Sequence, residues 1–118
     1  KQELSQKYPT VEVLVKSTDV SDKSAILDFA NDVKSSWKKI DILINNAGVF
    51  LPGQILDEKE DVLERQLATN VHSAYHLTRS LIDLMLPHRS GHIFNMCSIA
   101  SIAPYSYGSS YTISKYAL

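Results

Sequence analysis

Cysteine is almost absent from this chain. Cys97 is the single thiol in 118 residues, so no internal disulfide can form, and the scarcity fits a reducing, cytoplasmic compartment. Neither sign of charge dominates: twelve basic and thirteen acidic side chains leave a net charge of −1, with no basic face to attract nucleic acid. Long apolar runs are missing too. The longest, Leu81 to Leu86, is interrupted by Asp83 and falls far short of the roughly 20 residues that span a membrane. No signal peptide, repeat or low-complexity segment is visible. There is no initial methionine: the chain opens at Lys1 within a helix-permissive run and stops at Leu118 just after another helix begins, which reads as an internal piece of a longer protein.

What is present suffices for one core. A hydrophobic content of 44% predicts one domain, or part of one, over residues 1–118. Residues 1–8 read as the end of a helix closed by Pro9, and 11–17 (VEVLVKS) alternate Val11, Val13 and Val15 with Glu12 and Lys16 as a strand does. Ser21 is an N-cap for a helix over about 22–38, whose apolar face is Ile26, Phe29, Ala30, Val33 and Trp37; Asp22, Lys23, Asp28, Asp32 and Lys34 form its solvated face. The unbroken run 40–44 (IDILI) predicts a strand inside a parallel sheet, ending in the turn Asn45-Asn46-Ala47-Gly48. Taken alone, that tetrapeptide is as well explained by a plain turn.

A loop with Pro52 and Gly53 leads to Asp57 and Glu60, which resemble a capping box opening a long helix to about Leu86. Its apolar surface, Leu63, Leu67, Val71, Ala74, Leu77, Leu81 and Met85 with Val62, Tyr75, Ile82 and Leu84 beside them, is wide enough to include a subunit interface. Asn70 sits among these residues, where its amide needs partners. His72 and His76 lie four apart on the same helix but have no third ligand or zincin-type acid, and His88 and His92 flank a turn. No metal site is expected.

The chemistry concentrates in 91–118. Residues 91–97 read as a buried strand, with Ile93, Phe94 and Met96 packed inside, followed by Ser98, a loop holding Pro104 and Gly108, and Tyr111 with Lys115 four residues on. Positions four apart share a helix face, so an ammonium can stand beside a phenol. A free tyrosine titrates near pH ~10, and using its phenolate near neutrality takes about 4 kcal/mol of differential stabilisation, which a fixed cation in a partly dry cleft can supply. Ser98 would hold the same substrate oxygen by a hydrogen bond. Cys97 reads as a buried small residue, since the adjacent hydroxyl fits the oxygen-binding role better than a thiol. Tyr105 and Tyr107 lie in the loop before Tyr111, as an apolar lining of the cleft or as packing.

With strand, helix, strand, helix, strand, helix in order, and with Asn45-Asn46-Ala47-Gly48, Asn70, Ser98 and Tyr111-x-x-x-Lys115 in place, the chain resembles the short-chain dehydrogenase/reductase family, classical subtype, over essentially its whole length. Members similar to 3-oxoacyl-carrier-protein reductases are the first comparison for substrate. The resemblance implies an α/β, Rossmann-like doubly wound parallel sheet, here only its middle part, the third to fifth strands and flanking helices. It implies an NADP- or NAD-dependent oxidoreductase that interconverts a ketone or aldehyde and an alcohol by hydride transfer, acting as a homo-dimer or homo-tetramer; the alternative is a non-catalytic dinucleotide-binding sensor or scaffold. By position, Tyr111 would be the acid/base, Ser98 would orient the carbonyl, Lys115 would favour the phenolate and bind the nicotinamide ribose, and Asn70 would hold a water linked to Lys115. Asp19, with Val20, would meet the adenine, and Asn46, Ala47 and Gly48 would line the adenosine side through their backbone.

The family's glycine-rich Thr-Gly-x-x-x-Gly-x-Gly turn and its first two strands do not occur here, nor do its later strands. In the 3-2-1-4-5-6 order, residues 11–17 would be parted from 40–44 by two absent strands. A molecule of these residues alone is therefore expected neither to fold stably nor to bind dinucleotide.

Overall fold

The computed structural model describes residues 2–118. Helix α1 (Gln2–Lys7) precedes α2 (Lys23–Ser36), which buries Ile26, Ala30 and Val33 at helical spacing. Strand β1 (Ile42–Asn45) follows, then α3 (Val62–Leu67), a π-helical turn (Ala68–His72) and α4 (Ser73–Leu81) in one helical run. Short 3-10 turns at Ile82–Leu84 and Leu86–His88 lead to β2 (His92–Asn95), and a last 3-10 turn (Ile99–Ser101) precedes α5 (Ser109–Ala117). Among the described residues no helix is long and apolar enough to cross a membrane.

The two strands pair in parallel, with Ile42 opposite His92 and Asn45 opposite Asn95. Helices α2 and α4 pack on each other and close the core of Ala30, Val33, Leu43 and Leu81, around which Leu14, Phe29, Trp37, Leu77 and Ile93 gather. Leu43 and Ile93 thus face the helices. The opposite face of the sheet is open: Ile42 and Ile44 are 59% and 56% exposed, and Phe94 and Met96 are 43% and 47% exposed. The expectation of an interior strand at 40–44 and a buried strand at 91–97 is corrected to strands covered on one face only. Cys97, just past β2, is likewise exposed rather than buried. Apolar sequence marks both faces of such strands as fit for burial, but burial needs a second layer to pack on them.

Residues 11–17 are not a strand. They join no ladder, because no neighbouring backbone is there to exchange hydrogen bonds with them. Side chains hold the segment instead: Leu14 packs on the core, the Lys16 ammonium pairs with Asp28 and with Asp32 at 2.7 Å, and the Trp37 indole donates to Glu12 at 3.3 Å. The outer face of α2 is therefore crossed by ion pairs, including Lys34 with Asp83 at 2.8 Å, rather than simply solvated. The radius of gyration, 16.6 Å, exceeds the about 13 Å of a compact domain of this length, as the open sheet face requires.

Two caps differ from expectation. Asp22, not Ser21, is the N-cap of α2, its carboxylate accepting from the Ser24 N–H at 2.8 Å. Ser21 instead donates its N–H and hydroxyl to Asp19 at 2.9 and 2.7 Å. The long helix opens at Val62 rather than Asp57. The N–H groups of Asp57 and Glu58 both turn back to the Gln54 carbonyl at 2.9 and 3.0 Å, and the Glu58 carboxylate is engaged elsewhere.

The Leu81 side chain, 2% exposed in the core, gives the first prediction. In the intact protein, Leu81→Ala is expected to remove about 2–5 kcal/mol of stability, read as a lower urea midpoint with an unchanged slope. The caps give the second. Hydrogen bonds from the Ser24 hydroxyl, then its N–H, hold the Asp22 carboxylate below its ordinary value of 3.8, and Ser21 does the same for Asp19. A lowered folded value means the stabilisation is complete above about pH 4 and fades as pH falls through the folded value. Asp22→Asn should lower the thermal midpoint at neutral pH, and the gap to the unaltered protein should close in acid.

Candidate active site

The site is assembled around the π-helical turn. There the Ser73 N–H reaches back five residues to the Ala68 carbonyl, and the Ser73 hydroxyl donates to the Thr69 carbonyl. Such single π turns widen a helix locally and recur at functional positions. This one carries Asn70, 1% exposed. Its Oδ1 accepts the Val49 N–H at 2.7 Å, and its Nδ2 donates to the Val49 carbonyl at 3.0 Å and to Ser114 Oγ at 2.9 Å. The Ser114 hydroxyl in turn donates to the Tyr111 carbonyl at 2.8 Å. One amide therefore joins the loop after β1 to α5.

The loop itself is aimed by Asn45, whose Nδ2 donates to Asn95 Oδ1 across the strands at 2.9 Å and to Thr78 Oγ1 at 3.0 Å. At Gly48 a β-carbon would stand 3.4 Å from Asn70 Oδ1 and 3.6 Å from Lys115 Nζ, so Gly48, Asn70 and Lys115 close on one spot. Lys115 is 6% exposed. Its Nζ donates to the Met96 carbonyl at 2.8 Å and lies 5.9 Å from the centre of the Tyr111 ring. Among the described residues no carboxylate pairs with this ammonium. A buried cation without a counter-charge is costly, and here it faces a phenol.

Tyr111 is half-buried, and its ring meets Phe50 edge-on, 4.8 Å between centres, while the Tyr105 ring lies 6.4 Å from that of Phe50. Ser98 stands two residues past the carbonyl that anchors Lys115. It caps the 3-10 turn, accepting the Ala100 N–H at 3.2 Å while Ser101 Oγ accepts its own N–H at 3.2 Å, and this turn packs against α5. The Ser98 O–H stays available as a donor.

Asn46, Ala47 and Val20 line a cavity of about 250 Å³ together with Thr18, Ile44 and Asn45, and Tyr111 is not part of its wall. Thr18 Oγ1 and Asn45 Oδ1, both buried, have no hydrogen-bond partner among the described residues. Asp19 sits between Thr18 and Val20, but its carboxylate is turned to Ser21. The structure thus brings Gly48, Asn70, Tyr111 and Lys115 together beside the Ser98 turn, and sets Val20, Asn46 and Ala47 around a second place, with the Asp19 carboxylate engaged by Ser21 rather than in its lining. His72 and His76 have ring centres 6.4 Å apart; burial, then nearby Lys23, holds the His76 imidazole below its ordinary value, and among the described residues no group of three ligands could hold a metal.

Sequence reasoning missed Phe50, Ser114 and Glu58. Ser114 carried one signal, its place directly before Lys115; the structure buries it fully within α5. Phe50 and Glu58 carried none, because both act across the chain.

The short chain dehydrogenase model matches residues 1–118. A curated relative, dehydrogenase/reductase SDR family member 7B of Bos taurus, is 34% identical over 99 residues, which is 84% of this chain and 30% of that protein. Among solved structures, a short-chain dehydrogenase from Streptomyces avermitilis superposes with a TM-score of 0.89 at 30% identity, over 98% of this chain and 42% of that one. A metagenomic short-chain oxidoreductase in complex with NADP does so with a TM-score of 0.87 at 30% identity, over 99% and 54%. The chain spans between about a third and a half of these proteins. Its two parallel strands and flanking helices are part of a Rossmann-like α/β fold, and the chain belongs to the short-chain dehydrogenase/reductase family.

Proposed function

We propose that the intact protein is an NADP- or NAD-dependent oxidoreductase that interconverts a carbonyl compound and its alcohol, with Tyr111 as the acid/base. The observation that carries this reading is the buried Lys115 ammonium, held on the Met96 carbonyl and set 5.9 Å from the Tyr111 ring centre. The ammonium so held stands beside the phenol that would exchange a proton with the substrate oxygen. Ser98, with its O–H uncommitted, donates to the same oxygen and fixes the carbonyl toward Tyr111. Asn70 keeps Gly48 and α5 in register, so the phenol and ammonium meet the substrate without reorganising.

The donors present fit a dinucleotide. Lys115 uses one ammonium proton on Met96, which leaves others for ribose hydroxyls. The apolar cavity beside Val20, Asn46 and Ala47, with Thr18 Oγ1 and Asn45 Oδ1 unpartnered in its wall among the described residues, suits the adenosine end, and Asp19, next in the chain to Thr18 and Val20, is the candidate for the adenine amino group. When bound, the nicotinamide supplies or accepts the hydride. Phe50, Tyr105 and Tyr107 are 47%, 42% and 59% exposed, and Phe50 stands beside Tyr111 with Tyr105 against Phe50, favouring an apolar or aromatic carbonyl substrate.

The test is Tyr111→Phe in the intact protein. Following nicotinamide absorbance across a panel of apolar ketones and aldehydes, turnover should fall by roughly 10²–10⁴-fold, with cofactor affinity within about twofold of the original because Lys115 and Asn46 to Gly48 are untouched. Undiminished turnover would remove Tyr111 from the chemistry, and cofactor binding with no turnover of any carbonyl in the unaltered protein would favour a sensor or scaffold.

A further inference from the structure

Helix α5 has no cap of its own. Gly108 stands at its N-cap, with no side chain to accept the N–H groups of the first turn. The acceptor comes from Glu58. Its Oε1 takes the Ser110 N–H at 3.1 Å and its Oε2 takes the Ser110 hydroxyl, and Ser110 is 2% exposed. A carboxylate is the favourable group at this end of a helix.

The same loop grips α5 at further points. The Gly53 N–H donates to the Tyr107 carbonyl at 3.0 Å, the Ser109 hydroxyl donates to the Gly53 carbonyl at 3.1 Å, and Gly53 and Gly108 form an isolated parallel bridge. Gly53 leaves room for Glu58, since a β-carbon there would lie 2.7 Å from Glu58 Cγ and push that side chain aside. Phe50, which meets the Tyr111 ring at 4.8 Å, belongs to this loop as well. The residue Glu58 caps is the one immediately before Tyr111.

We propose that Glu58 is a positioning residue for the reaction: by capping α5 from the loop between β1 and α3, it fixes the first helical turn and with it the direction of the Tyr111 phenol. This rests on the reading of Tyr111 as the acid/base. Glu58 itself touches neither substrate nor cofactor. Its action is transmitted by the Ser110 backbone, so the length of its side chain matters and its charge matters less.

The experiment compares Glu58→Ala, Glu58→Asp and Glu58→Gln in the intact protein. The alanine and aspartate variants, which remove or withdraw the acceptor, should lower kcat by about 10–100-fold, the order expected for a misplacement near 1 Å, with cofactor affinity unchanged. Glu58→Gln keeps an acceptor oxygen at the same reach and should recover kcat to within about threefold. Hydrogen exchange supplies a readout besides activity: amides of 110–113 should lose protection in the alanine and aspartate variants and keep it in the glutamine variant, while those of α2 stay as they were. Original kcat or original α5 protection in Glu58→Asp overturns the proposal, as does a glutamine variant as slow as alanine or a loss of α2 protection in parallel with α5. Should the unaltered protein turn over nothing, or Tyr111→Phe remain active, the acid/base reading fails, and the exchange comparison still decides whether Glu58 holds α5.

Discussion

The carboxamide of Asn70 is the contact on which the site depends. It closes both polar groups of Val49 and the Ser114 hydroxyl in a place 1% open to solvent. Any residue without both a donor and an acceptor would leave buried groups of the loop or of α5 unpaired, at about 1–3 kcal/mol each. The amide can sit there because the helix widens to a π turn, and the turn is tolerable because Ser73 bonds back to the Thr69 carbonyl. A distortion that weakens the helix locally is therefore what brings the loop after β1 and the tyrosine helix into register.

The ammonium of Lys115 follows from the same arrangement. It is buried on a neutral carbonyl rather than on a carboxylate, so its charge is not cancelled locally and its field reaches the phenol. A paired lysine would be cheaper to bury and less useful there. The sheet contributes through the ends of its strands: Asn45 and Asn95 bond across β1 and β2, aligning the Met96 carbonyl that follows β2 with the glycine turn that follows β1.

Much of this was legible because it is local. The four-residue step from Tyr111 to Lys115 puts both on one face of α5, an amide among apolar neighbours at Asn70 demands partners, and two amides and a glycine after an apolar run mark the end of a strand. What was not legible depends on distant chain. Ile42, Ile44, Phe94 and Met96 are as apolar as interior residues, but their exposure is decided by what lies across the sheet. Residues 11–17 have a strand's alternation and lack a ladder because pairing belongs to two segments rather than one. Ser21 and Asp22 are both competent caps, and the choice fell to the carboxylate whose oxygens reach Ser24. Asp57 and Glu60 spell a capping box, yet the loop is drawn toward α5 by Glu58, which no local pattern announces.

Gly48, Asn70, Lys115, Tyr111 and the Ser98 turn are held by β1, β2, the π turn and α5, and none of their hydrogen bonds uses the unpaired segment before α2. Val20 and Asp19, by contrast, belong to that segment, which is held by Leu14, by the Trp37 bond to Glu12 and by the Lys16 ion pairs with Asp28 and Asp32, contacts near the surface of the kind worth about 0–1 kcal/mol. The proposed acid/base geometry is thus set by buried polar contacts, whereas the cavity proposed for adenosine takes Lys16, Thr18 and Val20 of the less firmly held segment into its wall. A ligand spanning both would order the less firmly held end against the other, so its binding would report on residues 11–20 more than on the tyrosine.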